Sequence, residues 1–583
     1  MPSRPDGRDA RAAEAGFIRG RAAYNPAIRR LGSPGSRARS DPSRRRPFPH
    51  ETDPMTSTTS ANQPVLIAGT WRPARAVGTY RACEPATGAL RDAVWPVSGW
   101  DDLDEALDAA TTAAAELAKL PTTAIAAFLE RYAARLEARG ADLVAAAHAE
   151  TALAVKPRLA DVELPRMLDQ LRQAAAAARE QTWRMPMIDS AKNIRSAAFG
   201  LGPVVVFPPN NFPFAFGAVT GGDFAAAIAG GNPVIAKSHR SHPSVSLLAA
   251  GEAVEALRET GLPPATVQLV HAVADGERLV ADPRVGATGF TGSEAAGRKL
   301  FTAAAAAGRV IWVEMGAINP VAILPGALAE RGPEIAAELT ASITGSAGQM
   351  CTKPGLVFFV GDAAGEAFVQ AAAEKFAAIA PQVLLGPAGR DSLAEAVAAL
   401  VAAGARVVTG GKSGPGPCGH EPTLLEATAA DLVARPDAFV IEAFGNVTLL
   451  VRCASVTELR RALACAKGSL GASLYLAKDG RDDADVASVA DLLVEKSGRV
   501  IENRMPTGLA VTPPMQHGGP WPAAGPPFFS AVGMPWTILR FARRICFDGW
   551  TESRLPALLR DAPPPGRAWR YIDGGWTQGA ADE

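Results

Sequence analysis

Cysteine is scarce and irregularly placed in this chain: six residues, at 83, 351, 418, 453, 465 and 546, with no Cys-x-x-Cys pair. That excludes a disulfide framework and a thiolate zinc cage, and it fits a reducing, cytoplasmic compartment. Net charge is also missing. With 59 Lys+Arg against 59 Asp+Glu, no general attraction to nucleic acid or to an anionic membrane is expected, and any anion site is local. Long apolar runs are absent too, because Asp223, Asn232, Glu314 and several prolines interrupt the most apolar stretches short of the about 18 residues a membrane helix requires. What the chain has in quantity is apolar sequence, 48% of 583 residues, enough for two or three globular domains.

Residues 1 to about 62 contain no lysine and are rich in Arg, Ser, Pro and Gly without apolar periodicity, so they are expected to be disordered. They read either as an Arg-rich leader or as sequence preceding a true start at Met55. Asp6, Asp9, Glu14 and Asp41 argue against a transit peptide.

From Val65 onward strands and helices alternate. Val65 to Trp71 reads as a strand and turn. Asp101 or Asp102 is expected to cap a helix reaching Ala118, and Phe128, Leu129, Tyr132, Leu136 and Leu143 share one face of a second. A third helix is expected over Leu159–Arg179; its Arg166 and Arg172, with Arg158 before it, lie on a solvated face or turn inward to bind a carboxylate. Strands then read at Gly202–Phe207, Asn232–Lys237, Thr266–Val270 and Gly286–Phe290, with helices at Phe216–Ala229, Val245–Leu257 and Arg298–Ala307. This is the alternation of a parallel sheet. The turn Thr291-Gly-Ser-Glu-Ala-Ala-Gly297 sits between a strand and a helix, where a helix N-terminus meets phosphate. A second α/β unit follows over about 310–505, and strand-like runs at Trp536–Phe547 and Trp569–Trp576 are suited to pairing with another subunit.

Two motifs are decoys. Gly414-Pro-Gly-Pro-Cys-Gly419 fits GxGxxG in letters, yet its prolines lack the N–H donors a pyrophosphate needs. Gly411-Lys412-Ser413 has Arg406 where a phosphate loop needs its first glycine.

Cys351 lies in Gly348-Gln-Met-Cys-Thr-Lys-Pro-Gly355, among small residues that leave its sulfur accessible and backbone N–H groups nearby. It is a nucleophile or an ordinary buried thiol; the stretch alone leaves both open.

Asn210-Asn-Phe-Pro213, Lys237, Phe290-Thr-Gly-Ser293 with Gly297, Glu314-Met-Gly-Ala-Ile-Asn-Pro320, Gly348-Gln-Met-Cys351 and Glu442-Ala-Phe-Gly445 occur in order over about 65–560. Together they resemble the aldehyde dehydrogenase superfamily. Gly221-Gly-Asp223, His239 with His242, and Met515-Gln-His-Gly-Gly-Pro-Trp-Pro522 are similar to its branch of 2-oxoglutarate semialdehyde (2,5-dioxovalerate) and NADP-linked long-chain aldehyde dehydrogenases.

The resemblance implies an α/β fold with a Rossmann-like cofactor domain (63–312), an α/β catalytic domain (313–505), and a return and oligomerisation segment (506–583), with further oligomerisation strands near 184–200. It implies catalytic Cys351, Glu314 and Asn211, and cofactor contacts at Lys237, Arg240, His239, Gly292, Ser293, Glu442 and Phe444. Arg166, Arg158 and His517 are candidate substrate contacts, and no metal is expected. Arg240 stands where NAD-preferring relatives often carry glutamate, so NADP is expected over NAD unless Arg240 has only a surface role.

The implied reaction is oxidation of an aldehyde to its acid through a cysteine thioester, in a cytoplasmic homodimer or homotetramer. The best single substrate is 2-oxoglutarate semialdehyde, with a medium- or long-chain aliphatic aldehyde as alternative. A catalytically silent scaffold and a coenzyme-A-acylating enzyme are the readings of other kinds. Asn446, where the family has proline, and Pro208-Pro209 before Asn210 depart from the family pattern and leave loop shape and substrate fit open.

Overall fold

The computed structural model describes residues 62–528, 530–562 and 568–580, so the reading of the first 61 residues and of Met55 lies outside the described residues. Two sheets carry the architecture. The first has eight strands in the order Thr70–Arg72, Val65–Ile67, Val267–Val270, Val234–Lys237, Val204–Phe207, Ala287–Thr291, Val310–Glu314 and Ala524–Gly525. From Val267–Val270 to Val310–Glu314 neighbouring strands run parallel. Their β-branched, doubly buried sequences suit a sheet covered on both faces. Phe207, Lys237, Thr291 and Glu314 all sit at carboxyl ends of these strands, the edge where open α/β sheets bind ligands.

The second sheet has seven strands, with Asn319–Ile323 and Pro354–Val360 adjacent and parallel near its centre. Cys351 lies just before Pro354–Val360, and Glu314 just before the loop leading into Asn319–Ile323. The seam between the sheets therefore collects both.

A five-stranded sheet joins Ala542–Asp548, Ile194–Gly200, Met187–Asp189, Arg570–Ile572 and Gly575–Thr577. Ala542–Asp548 and Arg570–Ile572 thus pair with the 187–200 hairpin of their own chain, whereas Trp536–Phe541, expected as strand, winds into a short 3-10 helix. Among the described residues, no helix is long and apolar enough to cross a membrane.

The helices differ from the sequence reading in instructive ways. Asp102 does not cap the first helix, Trp100–Leu117, whose N-cap is Gly99; it is buried and accepts from Arg75 N at 3.0 Å and Arg72 Nη1 at 2.8 Å. Phe128, Leu129, Tyr132 and Leu136 do form the buried face of Thr122–Ala138, each such burial contributing about 1.5–3 kcal/mol, but Leu143 belongs to a separate helix, Gly140–Thr151. The third helix is preceded by a π-helical turn, Val155–Glu163, before Leu164–Glu180. The wide i→i+5 spacing sets Arg158 beside Glu163 as a buried ion pair.

Only Gly222–Ala229 of the expected Phe216–Ala229 helix forms. Upstream, Glu163 Oε1 accepts from Phe214 N at 2.8 Å and Ala215 N at 3.0 Å, which holds that segment in turns.

Candidate active site

Cys351, Glu314 and Asn211 converge from three separate elements. Cys351 is half-buried in a short turn whose carbonyl accepts from Asn319 Nδ2 at 2.8 Å, and the same amide bonds the Lys353 carbonyl at 2.8 Å. Asn319 thus ties the thiol's turn to the loop after Glu314, a bracing role that sequence reading missed although the residue lay within the quoted motif. Gly348, at φ +68°, permits the turn: a Cβ there would overlap the Gly445 carbonyl oxygen.

The Asn211 side chain is buried and donates to the Gln349 carbonyl at 3.0 Å. An amide nitrogen has two protons, so one remains for an oxyanion beside Cys351.

Glu314 is buried at the end of its strand, and neither carboxylate oxygen has a hydrogen-bond partner among the described residues. Burial first, then the Asp223 charge, pushes its carboxyl up to about 8, with Arg540 and Arg166 opposing. The Cys351 thiol is likewise pushed upward, chiefly by burial and then by Glu314. The sulfur is therefore a protonated thiol at rest and needs a base when it attacks.

His517 stands between the two. Its Nε2 is 3.4 Å from Cys351 Sγ, and its Nδ1 is 3.3 Å from Glu314 Oε1, within ion-pair range but not aligned as a hydrogen bond. Burial pushes its imidazole down to about 3, so the ring is neutral.

A cavity opens onto the thiol, with Arg166, Phe212, Phe216, Leu509 and His517 in its wall. The two arginines suggested for substrate behave differently. Arg158 is spent on Glu163, on Ser346 Oγ at 3.1 Å and on the Asn211 carbonyl at 2.9 Å. Arg166 makes one side-chain bond, to Gln170 Oε1 at 3.3 Å, and its buried Nη2 has no hydrogen-bond partner among the described residues. The Phe212 and Phe216 rings flank it at 5.7 and 5.2 Å.

Lys237, Arg240, Arg278 and Lys299 line a second, more open cavity together with Asp275, Glu277, Phe207 and Phe290. Burial, then Arg240, lowers Lys237 to about 8. Ser293 caps the helix Glu294–Ala306, and a Cβ on Gly292 would come 2.9 Å from the Phe290 ring. His239 stacks on His242 at 5.3 Å, and its Nδ1 accepts from Ser241 N at 3.1 Å, outside this wall. Glu442 accepts from Ala317 N at 3.1 Å, and a side chain at Gly316 would overlap its carboxylate. Phe444, in the same loop, is half-buried.

The pattern of the aldehyde dehydrogenase family matches residues 71–519. The chain belongs to the aldehyde dehydrogenase family. It is 36% identical to alpha-ketoglutaric semialdehyde dehydrogenase 2 of Azospirillum brasilense, over 86% of this chain and 97% of the relative. It is 31% identical to the alpha-ketoglutaric semialdehyde dehydrogenase of Acinetobacter baylyi, over 82% and 92%. Among solved structures, lactaldehyde dehydrogenase from Escherichia coli superposes with TM-score 0.71 at 23% identity, covering 84% of this chain and 99% of that one. This aldehyde dehydrogenase is thus an aldehyde-oxidising oxidoreductase acting on small-molecule aldehydes with NAD or NADP.

At the family's Phe-Gly-Pro position, this aldehyde dehydrogenase fills the proline's place with a buried network. Asn446 Nδ2 donates to the His420 carbonyl at 3.0 Å and to Gln382 Oε1 at 3.2 Å, and its Oδ1 lies 2.9 Å from His420 Nδ1.

Proposed function

We propose that this enzyme oxidises 2-oxoglutarate semialdehyde, or a short oxo-acid aldehyde like it, to the corresponding acid, and prefers NADP. The observation that carries the substrate is Arg166: a buried guanidinium with an unpartnered nitrogen in the wall of the cavity that contains Cys351. An aliphatic aldehyde would leave that nitrogen unpaired. A carboxylate satisfies it, and a charge-assisted bond of this kind contributes about 1.5–3 kcal/mol. The semialdehyde names of the two relatives agree with a substrate bearing a carboxylate.

Cys351 attacks the aldehyde carbon, and the Asn211 amide with the Cys351 backbone N–H holds the oxyanion of the thiohemiacetal. The nicotinamide, when bound, supplies the hydride acceptor. Lys237 and Arg240 face the adenosine end, where their charges favour a 2′-phosphate; Gly292 and Ser293 serve the pyrophosphate, and Glu442 with Phe444 the nicotinamide ribose. Glu314 draws a proton from the water that hydrolyses the thioester, and its raised proton affinity makes it an effective base near neutral pH. A cytoplasmic homodimer or homotetramer built through the five-stranded sheet completes the reading.

The test is an aldehyde panel with each cofactor, followed at the reduced-nicotinamide absorbance beside Cys351→Ala. The expected result is highest kcat/KM for the oxo-acid aldehyde with NADP. A strong preference for octanal overturns the substrate, and turnover by Cys351→Ala overturns the chemistry.

A further inference from the structure

Three loops meet where three neighbouring strands of the second sheet begin. Asn319–Ile323, Pro354–Val360 and Val447–Cys453 run side by side and parallel, so the chain enters all of them from one edge. The loops at that edge hold Gly316 and Ala317, the Cys351 turn, and Glu442. They are packed without slack: a Cβ on Gly316 would overlap the Glu442 carboxylate, and one on Gly348 the Gly445 carbonyl oxygen. Glu442 spends one oxygen on Ala317 N, at 3.1 Å, and its second oxygen has no hydrogen-bond partner among the described residues.

A lysine ties the thiol's turn to the Glu442 loop. Lys353, two residues past the thiol, is buried, and its Nζ donates to the carbonyl of Val447, where the strand after Glu442 begins. Its own carbonyl is held by Asn319 Nδ2 at 2.8 Å. Burying an ammonium costs several kcal/mol unless a negative charge compensates it. Among the described residues Lys353 forms no direct ion pair, and the one charge that faces it is Glu442. Burial pushes the Lys353 ammonium down to about 8 and the Glu442 carboxyl up to about 7, and each charge opposes the other's shift.

We propose that Lys353 is a positioning residue for the cofactor: fastened to Val447, its ammonium is the counter-charge that keeps Glu442 a hydrogen-bond acceptor for the nicotinamide ribose hydroxyls. The proposal rests on the reading of Glu442 as the ribose contact. A protonated carboxyl presents a donor where two hydroxyls need acceptors, whereas a carboxylate accepts from both. The lysine is charged below about pH 8, which covers the range in which the carboxyl would otherwise take up a proton. A side chain of the thiol's own turn thus readies the loop that places the nicotinamide.

The other groups around this carboxyl are few. Glu294, from the helix after the Gly292 turn, also faces Glu442 and favours its protonation, and Cys351 faces it as a thiol pushed upward by burial. Exposed Lys467 reaches the same loop, but its ammonium lies 3.4 Å from Asp437 and 3.4 Å from the Val440 carbonyl. Lys353 is therefore the buried cation placed to hold the carboxylate.

The test is NAD binding by isothermal titration calorimetry from pH 6 to pH 9, without aldehyde. NAD is the probe because its pyrophosphate does not titrate there, unlike the 2′-phosphate of NADP. Lys353→Gln keeps a donor for Val447 and removes the charge. The ratio of its Kd to the native Kd should be about tenfold at pH 6 and fall to near one at pH 9, where Glu442 ionises without help. Lys353→Met should show the same trend. A ratio near one throughout overturns the counter-charge, and so does a loss equal at every pH, which is what a structural tether alone would give. In the native enzyme, binding should weaken as pH falls through about 7; an affinity flat between pH 6 and pH 8 overturns the proposal even where neither variant folds.

Glu442→Gln separates the inference from the reading beneath it. Native NAD affinity at pH 9 in that variant removes Glu442 as the ribose contact. Weakened binding there, with an unshifted Lys353→Gln profile, removes Lys353 alone.

Discussion

The guanidinium of Arg166 sits 5.2 Å from the centre of the Phe216 ring, and its buried Nη2 has no hydrogen-bond partner among the described residues. Arg166→Met should raise KM for an oxo-acid aldehyde by one to two orders of magnitude, roughly the worth of one charge-assisted hydrogen bond, and leave octanal turnover unchanged. Arg158→Met should behave differently, because it leaves Glu163 buried without its cation. Breaking such a pair costs about 3–5 kcal/mol, and thermal melting should show it whatever the substrate. Equal effects of both variants on KM alone would remove the distinction.

Glu314 should announce itself in stability as well as in rate. Its carboxyl, raised to about 8 in the fold, binds its proton more tightly than in the unfolded chain, where about 4.3 is usual. Its contribution is therefore fully present below the unfolded value and is lost as pH rises through the folded one. Glu314→Gln lacks that loss. The melting temperature of the variant minus that of the native protein should grow between about pH 4 and pH 8 and then level off. A difference flat across that window means the carboxyl is not perturbed. At pH 8 the variant should also accumulate acyl-enzyme, seen by intact-protein mass spectrometry.

Cofactor choice should turn on one exposed side chain. Arg240 lies 5.1 Å from the Tyr80 ring at the mouth of the cofactor cavity. Arg240→Glu would repel a 2′-phosphate and accept ribose hydroxyl bonds. The ratio of kcat/KM for NADP to that for NAD should fall at least tenfold, about 1.4 kcal/mol. An unchanged ratio places Arg240 among solvated surface residues.

Gly348→Ala should abolish activity without unfolding the protein. A methyl group there meets the Gly445 carbonyl oxygen, so the Cys351 turn must shift away from Asn211 and His517. Loss of Cys351 alkylation with far-UV dichroism intact is the expected pair of readings, and native turnover in this variant would show that the turn has slack.

How much of this was legible in the chain depended on the range of the forces involved. The strands ending near Phe207, Lys237 and Phe290 were readable because buried parallel strands need unbroken β-branched runs, and those runs lie within a few residues of one another; Val310–Glu314 was expected in the second α/β unit, and the structure pairs it instead with Ala287–Thr291 in the first sheet. Arg158 and Arg166 looked alike in sequence. What separates them is a π-turn that pairs Arg158 with Glu163, and the contact with Ser346, 188 positions along the chain. His517 was singled out within the Met515–Pro522 motif as a candidate substrate contact; its place between Cys351 and Glu314 depends on the returning segment that pairs Ala524–Gly525 with the first sheet. Asp223 and Arg540 could not be matched at all, since they lie 317 positions apart.

That returning segment also fixes when the enzyme becomes an enzyme. Ala524–Gly525 pairs with the strand that ends on Glu314, and Trp312 in that strand bonds the Arg540 carbonyl. Both contacts, and His517 with them, come from residues that follow every other strand of the two large sheets in the chain. A growing chain can therefore lay down most of both large sheets before the imidazole beside its thiol has been synthesised. The wall around the thiol is thus closed by a segment that follows both large sheets in the chain, with Leu509 and His517 as its contribution.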